Sequence, residues 1–86
     1  MNIVITGSTM GIGKAMANEF LKHGDNVIIS SRNQGRVDSV VEELQGKYPE
    51  QMVCGITCDV GNPDDIEALG KYALEQLSVI DMWINN

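Results

Sequence analysis

At 86 residues, 43% of them hydrophobic, the chain has material for one domain with a small core. Twelve acidic against six basic residues leave a net charge of -6, a sign that repels phosphate polymers and sets nucleic acid aside as a partner. No run approaches the roughly 20 apolar residues of a membrane span, and Met1 leads within two residues into a strand pattern rather than a signal or transit segment, so a soluble, cytoplasmic protein is expected.

Four apolar runs of strand length are separated by stretches of helical period, the pattern of a parallel sheet covered by helices on both faces. Asn2–Thr6 (NIVIT) reads as a buried parallel strand that stops at Gly7. From Ile12 the apolar spacing becomes four, through Met16 and Phe20, and Lys22, His23 and Gly24 supply a helix end. Asn26–Ser31 (NVIISS) is the second strand. Val37, Val40, Val41 and Leu44 then recur at i, i+3, i+4 and i+7 on a helix that ends before Tyr48-Pro49. The third strand lies within Gln51–Asp59 (QMVCGITCD). Asn62-Pro63-Asp64-Asp65 provides a cap, a first-turn proline and two acids for a helix whose apolar side carries Ile66, Leu69, Ala73 and Leu77. Ile80–Ile84 (IDMWI) is the fourth strand.

The fold class is therefore α/β: the N-terminal half of a nucleotide-binding Rossmann fold, βαβαβαβ, with parallel strands in the order 3-2-1-4. Residues 1–86 read as a partial domain whose fourth strand lacks an outer neighbour, an edge open to self-association. Cys54 and Cys58, four apart in extended chain, would stand about 13 Å apart, beyond the roughly 7 Å reach of a disulfide. Free buried thiols in a reducing compartment are expected. A metal site would have only the distant His23 to add.

Between the first strand and first helix lies Thr6-Gly7-Ser8-Thr9-Met10-Gly11-Ile12-Gly13, a T-G-x-x-x-G-x-G loop. Gly7 permits a sharp turn out of the strand, Gly11 lets the backbone approach a pyrophosphate, and Gly13 allows close packing of helix on strand. The helix start then offers free N–H groups to an anion. Glycine turns also arise for steric reasons alone, but this one sits at a strand end and opens an amphipathic helix. A P-loop is excluded, because Ser8 stands where its first glycine belongs and Ala15 where its magnesium-binding hydroxyl belongs; Lys14 is read as a solvated first-turn residue.

An Asp or Glu at the end of the second strand would hold a ribose 2′-hydroxyl; Ser31-Arg32 stand there instead, a hydroxyl and a guanidinium suited to a 2′-phosphate, so the cofactor expected is NADP(H). The bland alternative makes Arg32 a surface loop residue. Asp59 flanks the adenine position or serves as a turn acid before Gly61. Asn85 and Asn86 fix the cofactor loop with their amides or act as turn formers.

Thr6–Gly13 (TGSTMGIG), Cys58-Asp59-Val60 and Asn85-Asn86 resemble, in sequence and order, the N-terminal half of the short-chain dehydrogenase/reductase family. Within it, EFLKHGDNVIISSRN at 19–33, CGITCDV at 54–60 and IDMWINN at 80–86 are similar to the chlorophyll(ide) b reductases of plants and algae, with Trp83 the most telling letter. The resemblance implies that Gly7, Gly11 and Gly13 carry the pyrophosphate turn together with Ser8 and Thr9, and that Ile12 adds backbone to it. It further implies that Ser31 and Arg32 hold the 2′-phosphate, that Asp59 and Val60 flank the adenine, and that Asn85 and Asn86 open an N-N-A-G motif. Met10 departs from many NADP-preferring relatives, which carry a basic residue there.

Family catalysis also needs a tyrosine with a lysine four residues on and a carbonyl-polarising serine. Tyr48 is followed at that spacing by Met52 and Tyr72 by Gln76, so both tyrosines are read as packing residues and no catalytic residue is assigned. The expected function is that of the nucleotide-binding fragment of an NADPH-dependent carbonyl reductase, with the carbonyl substrate handled only by a full-length parent. The resemblance implies the C7-formyl group of chlorophyll(ide) b as that carbonyl, and a plastid location. The alternatives are a 3-oxoacyl or other small-ketone reductase, and a non-catalytic nucleotide-binding or interaction module.

Overall fold

The computed structural model describes residues 1–86. The elements run β1 (Asn2–Ile5), α1 (Gly11–Lys22), β2 (Asn26–Ile29), α2 (Gln34–Lys47), β3 (Val53–Gly55), α3 (Pro63–Leu77) and β4 (Met82–Ile84). All three strand pairings are parallel and the sheet order is β3-β2-β1-β4, as the sequence pattern predicts. The order reverses between β1 and β4, the position where open α/β sheets leave a crevice beyond their carboxyl ends.

Strand alternation distributes the core to two sides. Ile3, Ile5, Val27, Ile29 and Val53 pack with Ala17 and Leu21 of α1 and with Val37, Val40 and Leu44 of α2. On the opposite face Val4 and Ile28 pack with Cys58 and with Leu69 and Ala73 of α3, flanked by Trp83. Pro63 at the first position of α3 and the Asn62 side chain, which accepts from Asp64 N at 2.9 Å, fix where that helix begins.

Three sequence expectations are corrected in detail. The buried stripe of α1 is Gly13, Ala17 and Leu21; Met16 and Phe20 flank it, and Ile12 is 74% exposed. Small residues at 13 and 17 let the helix backbone sit close to the chain beneath it, which turns Ile12 outward. The strands are also shorter than their apolar runs. At the start of the fourth run, Asp81 uses its carboxylate to accept from Asn2 N (2.7 Å) and its own N–H donates to Asn2 O (2.9 Å), so regular pairing begins only at Met82. Cys54 lies on β3 but Cys58 lies beyond it; both thiols are free, with Cys58 buried and Cys54 only half-buried.

Candidate functional site: a cleft at the carboxyl ends of all four strands

The loops leaving the four strands meet around a cleft of about 720 Å³, and each contributes to its wall: Gly7, Thr9 and Met10 after β1, Ser31, Arg32, Asn33 and Arg36 after β2, Cys58, Asp59 and Val60 after β3, and Asn86 after β4. A convergence of this kind follows from parallel topology, because every strand points its carboxyl end the same way.

The glycine loop is held from beneath by hydrogen bonds. Ser8 Oγ donates to Ile5 O (2.7 Å) and accepts from Ser30 N (2.9 Å), while Ser8 N donates to Ser30 O (2.9 Å), so the ends of β1 and β2 are tied through one buried serine. Thr6 Oγ1 accepts from Asn86 N and Asn86 Nδ2 donates to Gly7 O, each at 3.0 Å. The terminal amide thus fixes the turn after β1, one of the two roles the sequence left open for it. Gly7 has φ +60° and Gly11 has φ +59°, the left-handed region in which a side chain is strained.

The three glycines differ in their surroundings. A Cβ on Gly13 would collide with the Gly7 carbonyl oxygen and lie 2.6 Å from Asn86 Nδ2, whereas one on Gly11 would meet nothing within 4 Å. Gly13 therefore seats the helix on the glycine loop itself rather than on the strand, and Gly11 leaves open space where a ligand can reach the backbone. Met10 occupies the cap position of α1 and makes no side-chain hydrogen bond, and the first turn carries no acid. The helix start consequently keeps its donors and its partial positive charge.

Around the rest of the rim, Ser31 Oγ accepts from Asn33 N at 3.3 Å, and Asn33 Oδ1 caps α2 by accepting from Arg36 N at 3.0 Å. Asp59 Oδ1 accepts from Gly61 N at 2.9 Å, which is the turn role the sequence allowed, and the residue lines the cleft as well. Cys58 holds its proton above the usual thiol value of 9, mainly through burial and then through the carboxylates of Asp65 and Asp59. The buried Ser30 hydroxyl stands beside the thiol and works against that rise.

Of the residues singled out from sequence, Gly7, Thr9, Ser31, Arg32, Asp59, Val60 and Asn86 share the cleft wall. Ser8 is buried under the loop, Gly11 and Ile12 lie exposed at the helix start beside Met10, and Gly13 is buried behind it. Asn85 faces elsewhere: its Oδ1 accepts from the Trp83 indole at 3.0 Å. Sequence reasoning missed Met10, Asn33, Arg36 and Cys58 as wall residues. Arg36 had a signal, since it stands one helical turn after Arg32. Lys14, read as merely solvated, pairs with Glu43 at 2.9 Å and ties α1 to α2.

The short chain dehydrogenase family model matches residues 1–86. The chain belongs to this family. Among relatives, it is 53% identical over 85 residues to chlorophyll(ide) b reductase NOL of Oryza sativa subsp. japonica, covering 99% of this chain and 25% of that one. It is 45% identical to the probable chlorophyll(ide) b reductase NYC1 of Arabidopsis thaliana, covering 20% of that protein. Of solved structures, L-sorbose reductase from Gluconobacter frateurii, complexed with NADPH and L-sorbose, superposes with a TM-score of 0.93 at 29% identity, over 99% of this chain and 32% of that one. The chain thus spans between a fifth and a quarter of the length of the curated relatives named here. No helix of this short chain dehydrogenase domain is long and apolar enough to cross a membrane.

Neither tyrosine lines the cleft. Tyr48 packs against the α1–α2 core and donates to Asn18 Oδ1 at 2.8 Å. Tyr72, on α3, packs against the core that this helix covers, where burial and then the neighbouring Cys54 thiol push its phenol up to about 12. Such a group is a poor proton donor near neutrality.

Proposed function

We propose that the cleft binds NADP(H), and that residues 1–86 are the nucleotide-binding part of an NADPH-dependent carbonyl reductase acting on the C7-formyl group of chlorophyll(ide) b in a plastid. The observation that carries the cofactor choice is the end of β2: Ser31 and Arg32 stand in the cleft wall where a carboxylate would reject a 2′-phosphate. The residues fit the group. The open space above Gly11 and the uncapped start of α1 suit a pyrophosphate, and the Arg32 guanidinium suits a terminal phosphate. Asp59 and Val60 would flank the adenine, and Asn86 holds the loop that receives the pyrophosphate. When bound, the nicotinamide supplies the hydride; these residues bind and orient the cofactor.

The substrate assignment is supported by identities of 53% and 45% to chlorophyll(ide) b reductases, plants' chloroplastic proteins by name. Paired titrations test the cofactor: NADPH is expected to bind more tightly than NADH, and Arg32→Ala to remove about 1.5–3 kcal/mol of NADPH binding, the worth of a charge-assisted contact. Equal affinities for the two nucleotides would defeat the proposal. The 86 residues alone are expected to bind NADPH without reducing chlorophyllide b, because no lysine-activated tyrosine faces the cleft to protonate the alkoxide. Turnover lost in Tyr48→Phe or Tyr72→Phe would refute that expectation.

A further inference from the structure

The chain has two arginines, and both line the same cleft. Twelve acidic side chains are spread over the molecule, yet the only acid in the cleft wall is Asp59, one of whose oxygens is taken by Gly61 N. The ion pairs of the structure are Met1–Asp25, Lys14–Glu43 and His23–Glu19, so neither guanidinium is neutralised within the chain.

Arg36 is the less expected of the two. It sits in the first turn of α2, where a cation meets the positive end of the helix dipole. Asp38, two residues on, accepts from Gln34 Nε2 at 2.7 Å, and the neighbours three and four residues away are Asn33, Ser39, Arg32 and Val40, so no acid at the spacing of one helical turn offsets the charge. Arg36 also borders a second, adjoining groove between α1 and α2, whose wall includes Met10, Lys14 and Glu43. Met10 and Arg36 are thus shared by both hollows. Two arginines without an ion pair thus line one hollow, and one of them also stands at an electrostatically unfavourable helix end, an arrangement suited to a dianion.

We infer that Arg36 is a second holder of the cofactor's 2′-phosphate and that, with Arg32, it sets the discrimination between NADP(H) and NAD(H). This inference rests on the proposed NADP(H) site. Its helix position gives it a firmer base than Arg32, which stands in the preceding loop, and its cation shares the rim with the apolar Met10.

The test is isothermal titration of the chain with NADPH and NADH at two salt concentrations. Arg36→Gln is expected to weaken NADPH about tenfold, to change NADH less than twofold and to flatten the salt dependence of NADPH binding. Met10→Lys in the Arg36→Gln background should restore most of the preference, because a cation returns to the same rim. Both positions are exposed, so circular dichroism of each variant should match the parent. If the parent prefers NADPH and Arg36→Gln keeps that preference, or loses NADPH and NADH affinity equally, the role of Arg36 is overturned while the site stands. If the parent shows no preference for NADPH, the site and the role of Arg36 fall together.

Discussion

Helices α1 and α3 both begin at the carboxyl edge of the sheet, and they begin in opposite ways. At α3 the cap is Asn62, the first position is Pro63 with no N–H to satisfy, and Asp64 and Asp65 follow; Asp65 Oδ2 also reaches back to accept from Asp59 N at 3.0 Å. At α1 the matching positions are Met10, Gly11, Ile12 and Gly13, with no capping side chain and no charge. One helix end closes on itself and the other is left for something else to close. Local stability is forgone at α1 by residues that serve no packing need at 10, 11 and 12, the trade that the proposed cofactor site requires.

The largest effect expected from this contrast is at the third helical position. Gly13→Ala drives a Cβ into the Gly7 carbonyl, and should cost about 3 kcal/mol, the upper part of the range for overpacking, and abolish NADPH binding. Asp65→Ala, its counterpart in α3, should cost about 1 kcal/mol or less. Urea midpoints compare the two, and a Gly13→Ala chain as stable as the parent would mean the loop yields freely.

Giving α1 the acid that α3 has should pull stability and binding apart. Ile12→Asp, at an exposed second position, is expected to stabilise the nucleotide-free chain by about 0.3–1 kcal/mol through the helix dipole. The same carboxylate should weaken NADPH at least tenfold by occupying the anion's place. Unchanged NADPH affinity would break the comparison. The converse change, Asn62→Ala, removes a cap outside the cleft and should cost about 1 kcal/mol while leaving NADPH affinity within twofold.

The sheet order, the three helices and most of the cleft were legible in the sequence because each depends on local rules: apolar runs, helical period, a capped start at Asn62 and a glycine loop after a strand. What was not legible depended on how the folded segments pack rather than on local pattern. Ile12 reads as apolar and therefore inward, but only the approach of Gly13 to the Gly7 carbonyl decides that it turns outward. Asn85 and Asn86 are identical letters, and their separation into a Trp83 partner and a loop brace follows from the pairing of β4 beside β1. Arg36 joins the cleft because α2 starts at Gln34, a boundary that the spacing of Val37, Val40, Val41 and Leu44 does not specify.

The smallest expected effect concerns the acidic start of α3 and appears only in alkali. Cys58 is held protonated above the usual value of 9 by burial first and then by Asp65 and Asp59; burial likewise raises Cys54, and Tyr72 is pushed up to about 12. Below the unfolded thiol value these groups are protonated in both states and leave stability independent of pH. Above it the unfolded chain releases protons that the folded chain retains, so the unfolded state binds fewer protons and stability falls as pH rises toward the folded values. Urea midpoints between pH 7 and 11 should therefore decline, first through the Met1 amine that Asp25 holds protonated and then more steeply from about pH 9. Asp65→Asn removes one of the charges that hold the Cys58 proton and should make the steeper part of that decline shallower, and Cys58→Ser should do so more strongly whatever it does to absolute stability. The start of α1 has no titratable side chain among Met10, Gly11, Ile12 and Gly13, so Ile12→Asp, ionised throughout this range, should shift the curve without changing its slope. A decline that Cys58→Ser leaves as steep as in the parent would place the lost protons elsewhere and remove the electrostatic part of the contrast between the two helix ends.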